Sequence, residues 1–223
     1  RKRSSAASDV YKRQLEQRYQ ELLAALPAAV KLLAVSKGRS ADEIRALHAL
    51  GQRSFGESRV QEASLKQEEL ADLTDIDWQF IGRLQANKVR PVLKAFTAIH
   101  AVDSLSLAQR ISRIATELER CPQLYLQLKL RADANKGGLS WAEAQSLWPQ
   151  LQSLPNVDWQ GVMVIPPREL KDSELSALFA EAVSHATALG VTGRSMGMSG
   201  DWRLAAQQGS TVVRVGSALF GSD

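Results

Sequence analysis

The chain contains one cysteine, Cys121, so an internal disulfide and a cysteine-based metal cluster are both excluded, an economy that suits a reducing compartment. No apolar run approaches the roughly 20 residues that span a bilayer, and the amino-terminal stretch lacks the apolar core of a secretory signal. The expectation is a soluble, cytoplasmic protein with no membrane partner. Low-complexity tracts and solenoid repeats are absent too. The first apolar run is followed by KGRS, a poor match to the Gly-rich turn of dinucleotide-binding sheets, which argues against an open doubly wound fold.

An excess of positive charge is also largely missing once its location is considered. The 28 lysines and arginines against 24 aspartates and glutamates give a net charge of +4 and a pI near 9.3, which invites a nucleic-acid reading. Arg1, Lys2, Arg3, Lys12 and Arg13 all fall in the opening segment, however, and the remainder is nearly balanced. There, acids and bases are interspersed, as over residues 117–120, in the pattern of solvated helix faces. Nucleic acid is therefore not an expected partner, whereas small anions are.

Residues 1–14 carry basic and small polar residues without apolar periodicity and read as a disordered or weakly helical arm, either a targeting arm or an assembly remnant. Residues 15–223 read as one domain, since a chain with 44% hydrophobic content is long enough for one sizeable core. Leu15, Tyr19, Leu22, Leu23 and Leu26 follow helical spacing up to Pro27 and predict a lead-in helix. Short apolar runs over 31–36, 53–57, 77–82, 98–102, 123–131, 158–165, 195–198 and 211–216 then alternate with helical patterns. Among the latter, Ser104 caps a stripe of Leu107, Ile111, Ile114 and Leu118, and Ser140 with Glu143 forms a capping box. Trp141 and Trp148, two turns apart, are expected to face the barrel. The alternation of about eight β and eight α units predicts a single-domain (β/α)8 TIM barrel, an α/β fold.

Chemistry on such barrels gathers at the carboxyl ends of the strands. KLLAVSK places Lys37 there, and a lysine in a partly dry pocket is a Schiff-base candidate, because desolvation favours the free amine. The other strand ends offer Gly56, Glu57 and Ser58, then Gly82, Leu84, Gln85 and Asn87, then Asp103, Asn135, Lys136 and Gly137, Ile165 and Pro166, Met198, Ser199 and Gly200, and finally Arg214, Gly216 and Ser217. SMGMSGDW offers main-chain amides beside the Ser199 hydroxyl, an anion site, while helix capping alone would also explain that serine. In VVRVGSALFG, Arg214 interrupts an apolar strand, and a buried guanidinium must find acceptors. Together these suggest one phosphate held by the seventh and eighth units, with Lys37 across the mouth. An amine, a phosphate cup and an arginine for a ring nitrogen are the parts that hold pyridoxal 5′-phosphate (PLP).

LLAVSK, FGES-VQEA, WQFIGRLQANK, the N-K-GGL segment, SMGMSGDW and VVRVGSALFG, in that order from about residue 30 onwards, resemble the YggS/PROSC family of PLP homeostasis proteins. The resemblance implies a PLP-binding barrel similar to the amino-terminal domain of alanine racemase. It implies Lys37 as the Schiff-base lysine, Ser199, Gly200, Gly216 and Ser217 as the phosphate ligands, with Met198 also expected to bind the cofactor, and Arg214 at the pyridine nitrogen, where an arginine keeps that nitrogen unprotonated and weakens the cofactor as an electron sink. Ser58 stands where the family usually has the asparagine of FGEN, so a ring contact from that position is in doubt. Gln79 stands where the family usually has the histidine of HFIG and is expected to be tolerated.

A racemase needs a second acid/base opposite the lysine. Of the tyrosines, Tyr11 and Tyr19 lie in or beside the leading arm, and Tyr125 is expected near the start of a strand, at the wrong end. Cys121 is similarly placed. The expectation is a monomeric PLP carrier or buffer, serving vitamin B6 and amino-acid balance and passing PLP to apo PLP-dependent enzymes, without turnover. The alternatives are a PLP-dependent racemase-type enzyme using Lys136 or Asp103, and a cofactor-free aldolase-like barrel.

Overall fold

The computed structural model of the protein describes residues 5–133 and 136–221. Eight parallel strands close on themselves in chain order, β1 (Lys31–Val35), β2 (Ser54–Glu57), β3 (Asp77–Phe80), β4 (Ala98–Val102), β5 (Gln123–Leu128), β6 (Asp158–Val164), β7 (Gly193–Ser195) and β8 (Val212–Val215). Helix α1 (Ser5–Ala25) leads in, and α2 (Ala41–Ala49), α3 (Val60–Glu69), α4 (Val89–Ala95), α5 (Leu105–Glu117), α6 (Trp141–Gln152), α7 (Asp172–Ala188), α8 (Trp202–Gln207) and α9 (Ser217–Phe220) follow the strands. This is the (β/α)8 TIM barrel with a lead-in helix.

Alternation along each strand sorts side chains between two environments. Leu32, Ala34, Phe55, Val213 and Val215 point outward and pack with Leu15, Tyr19, Ile44, Leu47, Leu219 and Phe220 of the flanking helices. A larger outer core joins Ile99, Leu124, Leu126, Val162 and Val164 to α4, α5, α6 and α7. Inside the barrel, Tyr125 and Met163 pack with Ala101. Ser104 caps α5, and Ser40 and Ser140 form capping boxes with Glu43 and Glu143.

Most predicted strands differ by a residue or two at an end, and three elements differ for reasons the structure shows. Helix α1 begins at Ser5, ahead of the predicted Leu15. The Tyr11 hydroxyl bridges the Glu43 carboxylate and the Phe220 carbonyl, which ties the early turns to α2 and α9 without apolar periodicity. Residues 1–4 of the predicted arm lie outside the described residues. Strand β7 ends at Ser195, whereas the sequence suggested 195–198. Gly197 adopts φ +95, and a Cβ there would stand 2.6 Å from the Ala205 Cβ, so the chain leaves the sheet to let α8 approach. Strand β5 stops at Leu128 because the Lys129 amide turns to the Leu139 carbonyl (2.8 Å). Trp148 is buried as expected, but Trp141 is only half-buried and stacks on His185 of α7 with centroids 3.8 Å apart.

Strands β6 and β7 approach closely where two glycines meet. A Cβ on Gly161 would lie 1.9 Å from the Gly193 carbonyl oxygen. Gly161→Ala is therefore expected to cost on the order of 2 kcal/mol or more, measured as a lowered urea midpoint. An unchanged midpoint would show that the two strands part without cost.

Candidate functional site

Lys37 lies two residues beyond β1, in the turn that leads to α2. The Ser36 amide still pairs with the Gly56 carbonyl (3.0 Å), and Gly38, at φ +73, turns the chain so that the Arg39 amide reaches the Ser36 carbonyl (2.9 Å). The Lys37 side chain is exposed and makes no hydrogen bond or ion pair among the described residues. The dry pocket expected from the sequence is thus corrected: Lys37 lies exposed in the turn past the end of β1.

The carboxyl end of β8 adjoins this turn. β1 and β8 pair in register, Ala34 opposite Val215, and a Cβ on Gly216 would stand 3.3 Å from Val35. Lys37 and Gly216 therefore follow neighbouring strands, so they sit side by side rather than across the mouth. The amides of Gly216 and Ala218 both donate to the Ser199 hydroxyl oxygen, at 3.1 and 3.2 Å. With both of its lone pairs engaged, that hydroxyl keeps its proton for another acceptor. The Met198 amide donates to an Asp201 carboxylate oxygen (2.5 Å). A methyl group on Gly200 would meet no atom within 4 Å, and its φ is not left-handed, so nothing within the described residues demands a glycine there. A cavity of about 350 Å³ lies on the α8 side of Ser199 and Gly200, lined also by Asp172, Asp201 and Arg203 and not by Lys37, Arg214, Gly216 or Ser217, whereas Ser217 is exposed at the start of α9.

Ser58 follows β2, and a Cβ on Gly82 would stand 2.3 Å from its carbonyl oxygen, which fixes the main chain at that rim. The Ser58 side chain makes no hydrogen bond among the described residues. Asn135 lies outside the described residues. The Lys136 amine is held by the Pro166 carbonyl (2.5 Å) and the Asp133 carboxylate (3.2 Å).

Arg214 is buried inside the barrel. One terminal nitrogen donates to the Ser195 carbonyl (2.6 Å) and hydroxyl (2.8 Å), and the other to the Val164 carbonyl (3.0 Å). Its Nε–H has no acceptor among the described residues. Burial lowers its pKa to about 10, so the guanidinium is still charged at neutral pH. Behind it runs a set of residues to which the sequence assigned no role. His100 Nδ1 meets the Ser195 hydroxyl at 2.8 Å, and His100 Nε2 meets Gln79 Oε1 at 2.8 Å. Gln79 Nε2 donates to the Asp77 carboxylate (2.6 Å), which also accepts from Ser54 and Thr97. The carboxylate fixes the orientation of the amide, and the amide oxygen then requires a proton on His100 Nε2. His100 Nδ1 is bare and accepts from Ser195, whose oxygen accepts from Arg214. Every hydrogen bond thus points one way, from the guanidinium at the mouth to the carboxylate at the floor. Tyr125, the third residue of β5 and towards its start as the sequence suggested, stacks on His100 with centroids 4.3 Å apart, and burial pushes its hydroxyl pKa up.

The family described as alanine racemase, N-terminal domain, matches residues 10–223. The chain is 44% identical to the pyridoxal phosphate homeostasis protein of Synechocystis sp. over 91% of its length and 96% of that relative's. It is 37% identical to the protein of the same name from Escherichia coli K12, over 88% and 87%. Among solved structures it resembles PipY of Synechococcus elongatus with PLP bound, with TM-score 0.90 and 47% identity over 93% of this chain and all of that one. An alanine racemase of Clostridium difficile, 17% identical with TM-score 0.75 and covered over 56% of its length, shares the fold.

Burial, with a smaller contribution from Arg214, lowers the His100 pKa from 6.5 to about 3. A histidine free to titrate in the unfolded chain then binds a proton that the folded chain refuses, so this residue makes stability fall as pH drops from about 6.5 towards 3. His100→Gln is expected to flatten that slope, by an amount on the order of a few kcal/mol at the acid end, in urea melts across this window. Nitrogen NMR of the native chain should find Nε2 protonated and Nδ1 bare, and the opposite tautomer would refute the hydrogen-bond direction.

Proposed function

We propose, for a chain that belongs to the alanine racemase N-terminal domain family and within it to the pyridoxal phosphate homeostasis proteins, that it holds PLP as a Schiff base on Lys37. It acts as a carrier or buffer in PLP and amino-acid homeostasis rather than as a catalyst, with apo PLP-dependent enzymes as recipients. The observation that carries this reading is the convergence of two main-chain amides on one oxygen, Ser199 Oγ, at the end of the strand beside Lys37.

The residues present suit each part of the cofactor. The Ser199 hydroxyl proton, the open space at Gly200 and the exposed Ser217 form a cradle that a phosphate would occupy, with Gly216 and Met198 supplying its main-chain walls. The free Nε–H side of Arg214 supports a ring-nitrogen contact, and the fixed charge of a guanidinium would keep a proton off that nitrogen. Lys37, without a competing partner among the described residues, supplies the amine. When bound, PLP contributes an aldehyde open to attack by an amine. Ser58 presents a hydroxyl where the family usually presents an amide, so it would contribute less to the ring. Lys136, one of the residues considered as a second acid/base, has its amine engaged by Pro166 and Asp133, which favours the carrier over the racemase-type enzyme.

Purified protein mixed with PLP is expected to develop a visible absorbance that borohydride fixes onto Lys37. Lys37→Ala should abolish it, and no free amino acid should exchange its α-proton at a catalytic rate. Loss of the band without fixation at Lys37, or rapid exchange, would overturn the reading. Gly200→Ala should leave the melting temperature unchanged yet weaken PLP binding by about tenfold, the loss expected when a methyl group displaces one phosphate contact.

A further inference from the structure

Behind the Lys37 turn, on the outer side of the barrel wall, lies a cluster of charges that the proposed binding of PLP does not use. Lys66 of α3 is buried, and its ammonium donates to the Ser36 carbonyl, Glu57 Oε1 and Glu62 Oε1, each at 2.7 Å. Three donors thus meet three acceptors. The Ser36 hydroxyl also donates to Glu57 Oε1 (2.7 Å), and the Gly38 amide donates to Glu62 Oε1 (2.5 Å). Glu57 is fully buried, and its second oxygen has no hydrogen-bond partner among the described residues.

The topology of these contacts is the informative part. The Ser36 carbonyl belongs to the peptide group before Lys37, and the Gly38 amide belongs to the one after it. Both peptide groups that meet at the Lys37 Cα are therefore held from α3, one by Lys66 directly and the other through Glu62. A buried ion pair is weak evidence for stability, since apolar residues of similar volume often serve as well. Apolar residues cannot grip a carbonyl and an amide on either side of one residue.

We propose that Lys66, with Glu62 and Glu57, is a positioning residue for Lys37: it fixes the main chain from which the amine reaches the aldehyde. This rests on the assignment of Lys37 as the PLP lysine. The bond it serves forms between Nζ, once its ammonium has lost one proton to solvent, and the aldehyde carbon; the C–O bond breaks, and the oxygen leaves as water with the two protons remaining on the amine. The side chain of Lys37 is unrestrained, so the direction of the amine is governed by its Cα, and a loosened turn spreads the amine over unproductive positions.

The test compares wild type with Lys66→Met and Glu62→Ala, the second on the more accessible side of the cluster so that folding is retained if the first variant fails. Without PLP, hydrogen exchange at the Gly38 amide should quicken in both. With PLP, the visible absorbance should appear about tenfold more slowly in Lys66→Met and about threefold more slowly in Glu62→Ala, the range expected when a reacting group is held less closely. Thermal melts run in parallel separate this from a structural role, which would lower the melting temperature and leave the rate of the folded protein unchanged. Folded variants that take up PLP at the wild-type rate would overturn the proposal while leaving Lys37 as the attachment point. A Lys37→Ala protein that keeps the absorbance would instead overturn the attachment point itself, and the purpose of the clamp with it.

Discussion

The guanidinium of Arg214 is held inside a closed barrel with no carboxylate hydrogen-bonded to it among the described residues, and much of the interior follows from that constraint. A buried charge that is neither paired nor hydrogen-bonded costs several kcal/mol. Here the charge is met by the carbonyls of Ser195 and Val164 and by the Ser195 hydroxyl. That hydroxyl can accept from the guanidinium only while donating elsewhere, and His100 Nδ1 takes its proton. His100 must then donate from Nε2, Gln79 accepts, and the amide passes the polarity on to Asp77. The polarity set by Arg214 is thus carried across the barrel through neutral groups to Asp77, and each link has a single workable direction; the carboxylate whose charge favours the guanidinium itself is that of Asp201.

This division gives the site a rigid inner wall and a separately held rim. Arg214 is fixed from within by β6 and β7, whereas the Lys37 turn is fixed from outside by α3. Strand pleating places the two sets on opposite faces of the same sheet: Ser36 and Glu57 face the helices, and Gly56 and Arg214 face the interior. The phosphate-type cradle belongs to neither, since it is formed by main-chain amides at the end of β8 and a hydroxyl from the loop after β7. Three separately supported parts of the fold thus end at the same rim of the barrel.

The barrel was legible because short apolar runs and capping residues recur at regular spacing, and β4 was placed to the residue. The end of β7 was not, because it is set by the approach of α8 to Gly197, a tertiary contact with no local signature. Lys37, Ser199, Gly216 and Arg214 could be named from strand ends and from a charge within an apolar strand. The same logic applies to His100 in AIHAV and to Gln79 in WQF, polar residues at alternate positions of otherwise apolar strands. His100 drew no reading, and Gln79 drew one only as a departure from the family pattern, because a neutral polar residue is a weaker signal than a charge. Lys66 was not legible at all: on a helix rich in Gln, Glu and Lys it reads as a solvated side chain, and only the fold shows it buried against Ser36 and Glu57.

The two departures from the usual family pattern carry different weight for the same reason. The position of Gln79 must accept from His100 and donate to Asp77, and a primary amide has one group for each task. A neutral imidazole also has one donor and one acceptor, so exchanging one for the other preserves the direction of the relay. Ser58 has no such neighbours. Its main chain is fixed against Gly82, but its side chain has no hydrogen-bond partner among the described residues. A hydroxyl reaches less far than a carboxamide and cannot offer an N–H and a carbonyl oxygen together. Under the proposed binding of PLP, Ser58 is therefore the departure that would weaken a contact to the ring, whereas Gln79 keeps the hydrogen-bond direction of the relay behind Arg214.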